Sequence, residues 1–464
     1  MISTNRLNPL KSVLISTYEL GRQSFGLASP AAWLRRAGSD VTCLDLSCQP
    51  LDEGAVASAD LVAIYVPMHT ATRLATQLLP TVRKLNPRAH LCCFGLYAPM
   101  NEMFLRKLRV QTILGGEFEE GLVATFERLQ NREPLSEVQV LPTVSLERQD
   151  FVAPDRQSLP PLSRYARFMG TDGNAQIAGY TEASRGCKHH CRHCPIVPVY
   201  SGVFRIVQPE VVLEDIRQQI AMGAKHITFG DPDFFNGIRH AIRIITALYA
   251  EHPTVTYNVT IKVEHLLKHA EFLPTLRETG CAFVTSAAES LDDEILRRLD
   301  KGHTYADFAR LLELCRQTGL VLSPTFVAFT PWTTLESYCA FIAGLQKLDL
   351  VDHVAPIQLG IRLLMPAGSR LLEVPEIEQM VGAFDENMLV YPWSSSDPRV
   401  DELCARVQTV VHEGGKQKAT RQQIFQRIAV IAHETAGIKP LKSLESPDRL
   451  DRAAIPYLTE PWYC

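Results

Sequence analysis

No apolar run in this chain reaches the roughly 18 residues that a membrane span requires. The first ten residues, from Met1 to Leu10, contain no apolar signal core. Basic residues do not outnumber acidic ones: 47 Lys and Arg face 51 Asp and Glu, for a net charge of −4. That balance argues against nonspecific binding to nucleic acid or to an anionic membrane. No internal repeat is visible. These absences lead to an expectation of a cytoplasmic protein that uses neither nucleic acid nor membrane. In such a reducing compartment the 12 cysteines are free thiols or ligands rather than disulfides.

What is present is a large globular chain. At 464 residues it exceeds one ordinary core, so two or three domains are expected. Strand and helix patterns alternate over residues 12–129. Strands are expected at 12–16, 41–46, 61–66, 89–94 and 110–114, with helices at 30–37, 74–85 and 119–129. Pro80 is expected to kink or split the second of these helices. Alternation of this kind gives a doubly wound, Rossmann-like parallel sheet, here assigned to residues 1–135. Residues 136–175, rich in proline and without periodicity, read as a linker. A second alternating region, 176–372, has strands expected at 178–183, 226–229, 257–261, 282–286, 322–329 and 354–364. Six β/α units suggest a partial (β/α)6 TIM-type barrel with its site at the strand carboxyl ends. Residues 373–464 read as a helical C-terminal extension, with helices at 401–411 and 421–436.

Three cysteines carry the chemistry. Cys187, Cys191 and Cys194 form a CxxxCxxC loop directly after the first expected barrel strand. Closely spaced thiolates are the usual ligands of iron–sulfur clusters, and three of them leave a fourth iron open. The alternative is zinc, with His189, His190 or His193 as the fourth ligand. Structural zinc sites usually split their ligands into separated pairs, whereas these crowd one loop. Cys43, Cys92, Cys93, Cys281 and Cys315 lie in apolar runs and read as small buried hydrophobes. Cys48, Cys339 and Cys404 follow no usable pattern.

This loop and the segments after it resemble the radical S-adenosylmethionine (SAM) enzymes. The resemblance implies a [4Fe–4S] cluster whose open iron binds the amino and carboxylate groups of SAM. An electron then breaks a carbon–sulfur bond, so an electron donor such as flavodoxin or ferredoxin is implied as a partner. Gly230-Asp231-Pro232-Asp233 resembles the acidic, glycine-containing segment near the methionine amino group. Ala288-Glu289-Ser290 and Leu299-Asp300-Lys301-Gly302-His303-Thr304 resemble the family's Glu-Ser strand end and Lys-Gly-His/Tyr-Thr segment. Glu289 and Ser290 are then expected to face polar groups of the cofactor. Residues Leu363 to Leu371 resemble the Pro-Gly-Ser/Thr-x-Leu segment with Ala367 inserted, and Arg362 is a candidate for the SAM carboxylate. A structural salt bridge is the alternative for Arg362. His193 stands where the family usually has an aromatic residue beside the adenine.

The first domain resembles the cobalamin-binding domain that precedes many radical SAM domains, and Gly115-Gly116-Glu117-Phe118-Glu119 resembles its end. The cobalt-ligating Asp-x-His-x-x-Gly motif is absent, the corresponding loop reading Ser16-Thr17-Tyr18-Glu19-Leu20-Gly21-Arg22. Cobalamin is thus an expected cofactor, with a purely structural domain as the alternative. The C-terminal Thr459-Glu460-Pro461-Trp462-Tyr463-Cys464 resembles the radical SAM (seleno)proteins whose tail reads Cys-Sec-Ala-Glu-Pro or Cys-Cys-Ala-Glu-Pro. That resemblance implies a selenocysteine codon directly after Cys464, and a redox-active Cys464 at the mouth of the active site. The expected activity is radical transfer to a small molecule, with methylation through cobalamin as the first reading. The alternatives are a cobalamin-independent rearrangement, transfer of another SAM fragment, or a non-catalytic iron–sulfur sensor or electron carrier.

Overall fold

The structure is a computed structural model that describes residues 9–133, 142–439 and 455–460. Its first sheet is built from β1 (Lys11–Ser16), β2 (Asp40–Asp45), β3 (Leu61–Tyr65), β4 (His90–Phe94), β5 (Thr112–Gly116) and the short β6 (Val144–Ser145). The strand order is β2-β1-β3-β4-β5-β6, and every pairing is parallel. Strands β3, β4 and β5 are buried throughout, as a sheet covered on both faces demands. One apolar cluster, including Ile15, Val62, Ile64 and Leu79, packs under the helix His69–Leu85. The other, including Leu14, Ala63, Phe94 and Phe126, packs under Phe25–Arg36 and Glu119–Gln130. The helix His69–Leu85 runs unbroken through Pro80, against the expectation of a split. The strand order reverses between β1 and β3, which opens a crevice beyond their carboxyl ends.

The second sheet begins with β7 (Arg167–Met169) and β8 (Ala175–Thr181). A two-stranded ribbon, β9 (Ser184–Gly186) and β10 (Phe204–Ile206), rises from the end of β8. The sheet continues with β11 (His226–Phe229), β12 (Thr256–Thr260), β13 (Cys281–Glu289) and β14 (Leu322–Phe326). Strands β8, β11, β12, β13 and β14 are parallel neighbours in a curled half-barrel. Their outer faces bury Val259, Val284, Ala288 and Phe326 against helices. Alternate positions on the inner face carry Thr260, Thr285, Ala287 and Thr325, which stay half-buried.

The sixth barrel strand expected at 354–364 does not form. A 3-10 turn, Pro356–Leu359, takes its place, and one bridge joins Phe329 to Arg362. Pro324 on the edge strand β14 and Pro356 in the turn both lack the N–H that a ladder needs. The helices Pro398–Lys416 and Arg421–Ala436 cover this open edge and join the barrel core through Val407 and Ile428. The chain then returns as β15 (Tyr457–Leu458), antiparallel to β7. Among the described residues no helix is long and apolar enough to cross a membrane.

Candidate active site

The cysteine loop hangs on a conformational constraint. Gly186 ends β9 at φ +74°, a left-handed conformation that costs other residues about 1–2 kcal/mol. A Cβ there would collide with the Tyr200 ring and lie 2.5 Å from the Val203 carbonyl oxygen. The chain therefore turns sharply into Cys187. Cys187 and Cys191 are buried and Cys194 is half-buried. Burial pushes the Cys194 thiol up to about 12 and raises that of Cys187. Three thiols gathered on one short, largely enclosed loop form a donor set that suits an iron–sulfur cluster.

Two anchors fix the loop. The 3-10 turn Phe234–Gly237 presents Asn236, whose Oδ1 accepts the Lys188 N–H at 3.3 Å and whose Nδ2 donates to the Gly186 carbonyl at 3.4 Å. On the other side, Arg192 donates its backbone N–H to the Leu299 carbonyl at 3.0 Å and its guanidinium to the Arg298 carbonyl at 2.8 Å. The loop thus rests on the end of the helix Asp293–Arg298.

The acidic residues expected after β11 separate into two duties. Asp231 is buried and accepts the Ala183 N–H at 3.0 Å and the Ser184 hydroxyl at 2.5 Å. Burial raises it to about 7 against those two bonds. Asp231 therefore ties down the approach to the cysteine loop. Asp233 caps the following turn through Oδ1 and turns Oδ2 to His265 Nδ1 at 2.7 Å and His189 Nε2 at 3.4 Å. Burial works against its ionisation, but the two histidines hold it below the usual carboxylate range. A ligand atom each from Cys187, His189 and Asp233 lie within 4.8 Å of one another. Gly230 has no room for a Cβ, because the Tyr180 hydroxyl lies across it.

Glu289 ends β13 at φ +65°, a strained conformation for a glutamate. Its Oε1 meets His193 Nε2 at 3.0 Å and Lys301 Nζ at 3.3 Å. Burial alone would raise this carboxyl, but Lys301 and His193 pull it down to about 2. Ser290 accepts the Asp292 N–H at 3.0 Å. Arg362 is placed elsewhere. It pairs with Asp401 at 2.7 Å, donates to the Trp393 carbonyl at 2.6 Å and lies 3.6 Å from the Trp393 ring centroid. It takes the structural salt bridge and braces the C-terminal region. Cys464 lies outside the described residues.

Three residues that sequence reasoning did not single out converge here. Lys262 follows β12, is buried, and sits 3.4 Å from Glu264. Lys301 and His265 are buried as well. Lys301 stood inside the quoted Lys-Gly-His segment, but Lys262 and His265 carry no local signal.

The first sheet meets this site through Arg185, two residues before Cys187. Its guanidinium contacts Glu119 at 2.6 and 2.8 Å, Glu182 at 2.9 Å and Glu117 at 3.3 Å. Phe118 and Phe151 each lie 5.0 Å from it. Glu117 and Glu119 follow β5, so the carboxyl edges of the two sheets abut. In the crevice of the first sheet, Ser16 Oγ and Glu19 Oε2 are buried with no hydrogen-bond partner among the described residues. A cavity of about 760 Å³ lies at the same loop, lined by Thr17, Tyr18, Leu46, Cys48 and Tyr165 but not by Ser16 or Glu19. Gly115 and Gly116, by contrast, are covered by Pro99 and the Ser145 carbonyl. The orphaned polar atoms and the cavity fit a bound group on the β1–β3 side.

Comparison with known proteins bears on the fold and on the second domain. The chain is 24% identical over 330 residues to the hopanoid C-3 methylase of Methylococcus capsulatus, covering 67% of this chain and 62% of that protein. It is 25% identical over 275 residues to a tRNA-2-methylthio-N(6)-dimethylallyladenosine synthase of Desulfosudis oleivorans, covering 55% and 56%. The chain thus spans less than two thirds of these relatives. The fold is that of TsrM from Kitasatospora setae, a radical SAM methyltransferase solved with cobalamin and a [4Fe–4S] cluster bound. That match has a TM-score of 0.65 at 15% identity and covers 92% of this chain and 99% of TsrM. Residues 181–332 match the Radical SAM superfamily, and this part of the chain is therefore a radical SAM domain, which implies a [4Fe–4S] cluster and SAM.

Proposed function

We propose that this protein is a cobalamin-dependent radical SAM methyltransferase acting on a small molecule, with an external electron donor. The observation that carries the reading is the Arg185 contact, which joins the β5 end of the first sheet to the base of the cysteine loop. A substrate held at that seam would lie between the two domains that carry the cofactors. The similarity to the hopanoid methylase supports the same reaction class.

Cys187, Cys191 and Cys194 would hold the cluster. Cluster and SAM supply reductive carbon–sulfur cleavage, and cobalamin supplies methyl transfer. The chain's own residues bind and orient. Asp233, kept ionised, suits the ammonium of SAM. Lys262, rather than Arg362, suits its carboxylate. Glu289 and Ser290 stand at the strand end where ribose hydroxyls would be read, and His193 is held beside them by its bond to Glu289. Ser16 and Glu19 would meet the corrinoid side of the crevice. The (seleno)protein subfamily rests on the tail residues alone. Sequencing the gene past codon 464 tests it, and the absence of an in-frame Ala-Glu-Pro there would remove it.

A second reading, transfer of another SAM fragment without cobalamin, is favoured by the covered Gly115–Gly116 pair and the missing axial histidine. Anaerobic reconstitution with iron, sulfide and cobalamin, followed by desalting, separates the two. Corrinoid absorbance that stays with the protein, and label passing from methyl-labelled SAM to a small-molecule product, are expected. Complete loss of corrinoid on desalting, with SAM still cleaved, would leave the second reading.

A further inference from the structure

The loop that carries Lys301 is built to drive one ammonium into the protein beneath the cysteines. Asp300 and Gly302, on either side, both adopt left-handed backbone, at φ +55° and +74°. Left-handed residues on both sides turn the chain at the lysine; Gly302 adopts this conformation freely, whereas Asp300 does so at a cost. Lys301 is 3% exposed. Its one carboxylate partner is Glu289 at 3.3 Å, itself in strained backbone and shared with His193. The same Glu289 oxygen thus bridges the Lys301 ammonium to the imidazole of His193, the residue before Cys194. The same loop is bolted to the cysteines, because Arg192, between Cys191 and His193, donates to the Leu299 and Arg298 carbonyls. The ammonium therefore keeps a fixed station beside the cysteine loop.

We propose that Lys301 is a positioning residue that sets the reduction potential of the cluster, and that Glu289 opposes it. A buried positive charge favours the state with one more electron, and a buried carboxylate favours the other. The step is a one-electron reduction of the oxidised cluster by the external donor, with no bond made or broken. The pair thereby decides how strong a reductant can serve this enzyme. The inference rests on the cysteines holding a [4Fe–4S] cluster.

The test is a redox titration of the reconstituted protein without SAM, following the reduced cluster by electron paramagnetic resonance. Iron and sulfide content are measured on the same samples. In Lys301→Met the reduced-to-oxidised ratio at fixed poise is expected to fall by about tenfold, equal to about 59 mV for one electron. Lys301→Arg is expected to stay within about threefold of wild type, and Glu289→Gln to shift the ratio upward. Opposite shifts from the two charge removals are what a merely structural role would not produce. An unmoved potential in Lys301→Met with full iron content, or shifts of the same sign in both variants, overturns the proposal. If Lys301→Met assembles no cluster, Glu289→Gln decides: an upward shift supports the proposal and any other result refutes it. A wild-type protein that binds no cluster fails the underlying reading as well, whereas a cluster with an unresponsive potential fails this inference alone.

Discussion

Replacing Arg185 with methionine removes the cation from the centre of the seam between the two sheets. Methionine keeps much of the apolar stem that packs on Phe118 and Phe151, so the change isolates the charge. Glu117, Glu119 and Glu182 then face one another without a counter-ion, and Glu117 and Glu119 have fully buried side chains. Breaking a buried ion pair from one side typically costs about 3–5 kcal/mol. At roughly 2–4 °C per kcal/mol, the melting temperature should fall by several degrees or more. The deficit depends on pH with a definite sign. Burial already raises Glu117 to about 7 and raises Glu182, in both cases against the pull of Arg185. Without Arg185 both rise further above their unfolded values. Groups of this kind take up protons on folding, so the variant loses stability as pH rises through about 7 and regains part of it near pH 6. Thermal melts at about pH 6 and pH 8, monitored by circular dichroism, measure both effects. A variant within about 1 °C of wild type at pH 8, or one whose deficit grows on acidification, would refute this account of the seam.

Gly186→Ala places a methyl group against the Tyr200 ring and the Val203 carbonyl at a left-handed residue, and should sharply lower iron incorporation. Full iron content in a folded variant would show that the turn into Cys187 is not so constrained. Arg362→Ala should destabilise the C-terminal region by about 1–3 kcal/mol, from the lost ion pair and ring contact. Its SAM affinity should stay within about threefold of wild type, since a lost charge contact costs more than that. A drop of tenfold or more in SAM affinity would return Arg362 to the carboxylate role that the family resemblance implied.

The parts that were readable in the sequence are those set by local pattern. Strands β1 to β5 announce themselves as short apolar runs between helical stretches, and the cysteine spacing is confined to one loop. The sixth barrel strand misled because residues 354–364 are apolar enough for a strand. Pro356 in the turn and Pro324 on the edge strand each lack an N–H that such a ladder would use. For Arg362 the sequence left a structural salt bridge open but could not name its partner, because Asp401 lies 39 residues on. Lys262 and His265, after β12, meet Lys301, after β13, only because two separate β/α units end on one rim. The double duty after β11 was equally invisible, since Asp231 and Asp233 look alike in sequence. Only the fold turns one toward Ser184 and the other toward two histidines.

The central claim is that three cysteines present a cluster with an open iron to SAM. The most direct measurement is the electron paramagnetic resonance spectrum of the reduced, reconstituted protein before and after SAM is added, with iron counted on the same sample. The account predicts about four irons per chain, a spectrum that changes when SAM binds, and SAM cleavage that requires the reductant. A protein that holds zinc instead, or a cluster whose spectrum ignores SAM and cleaves none of it, would contradict the account.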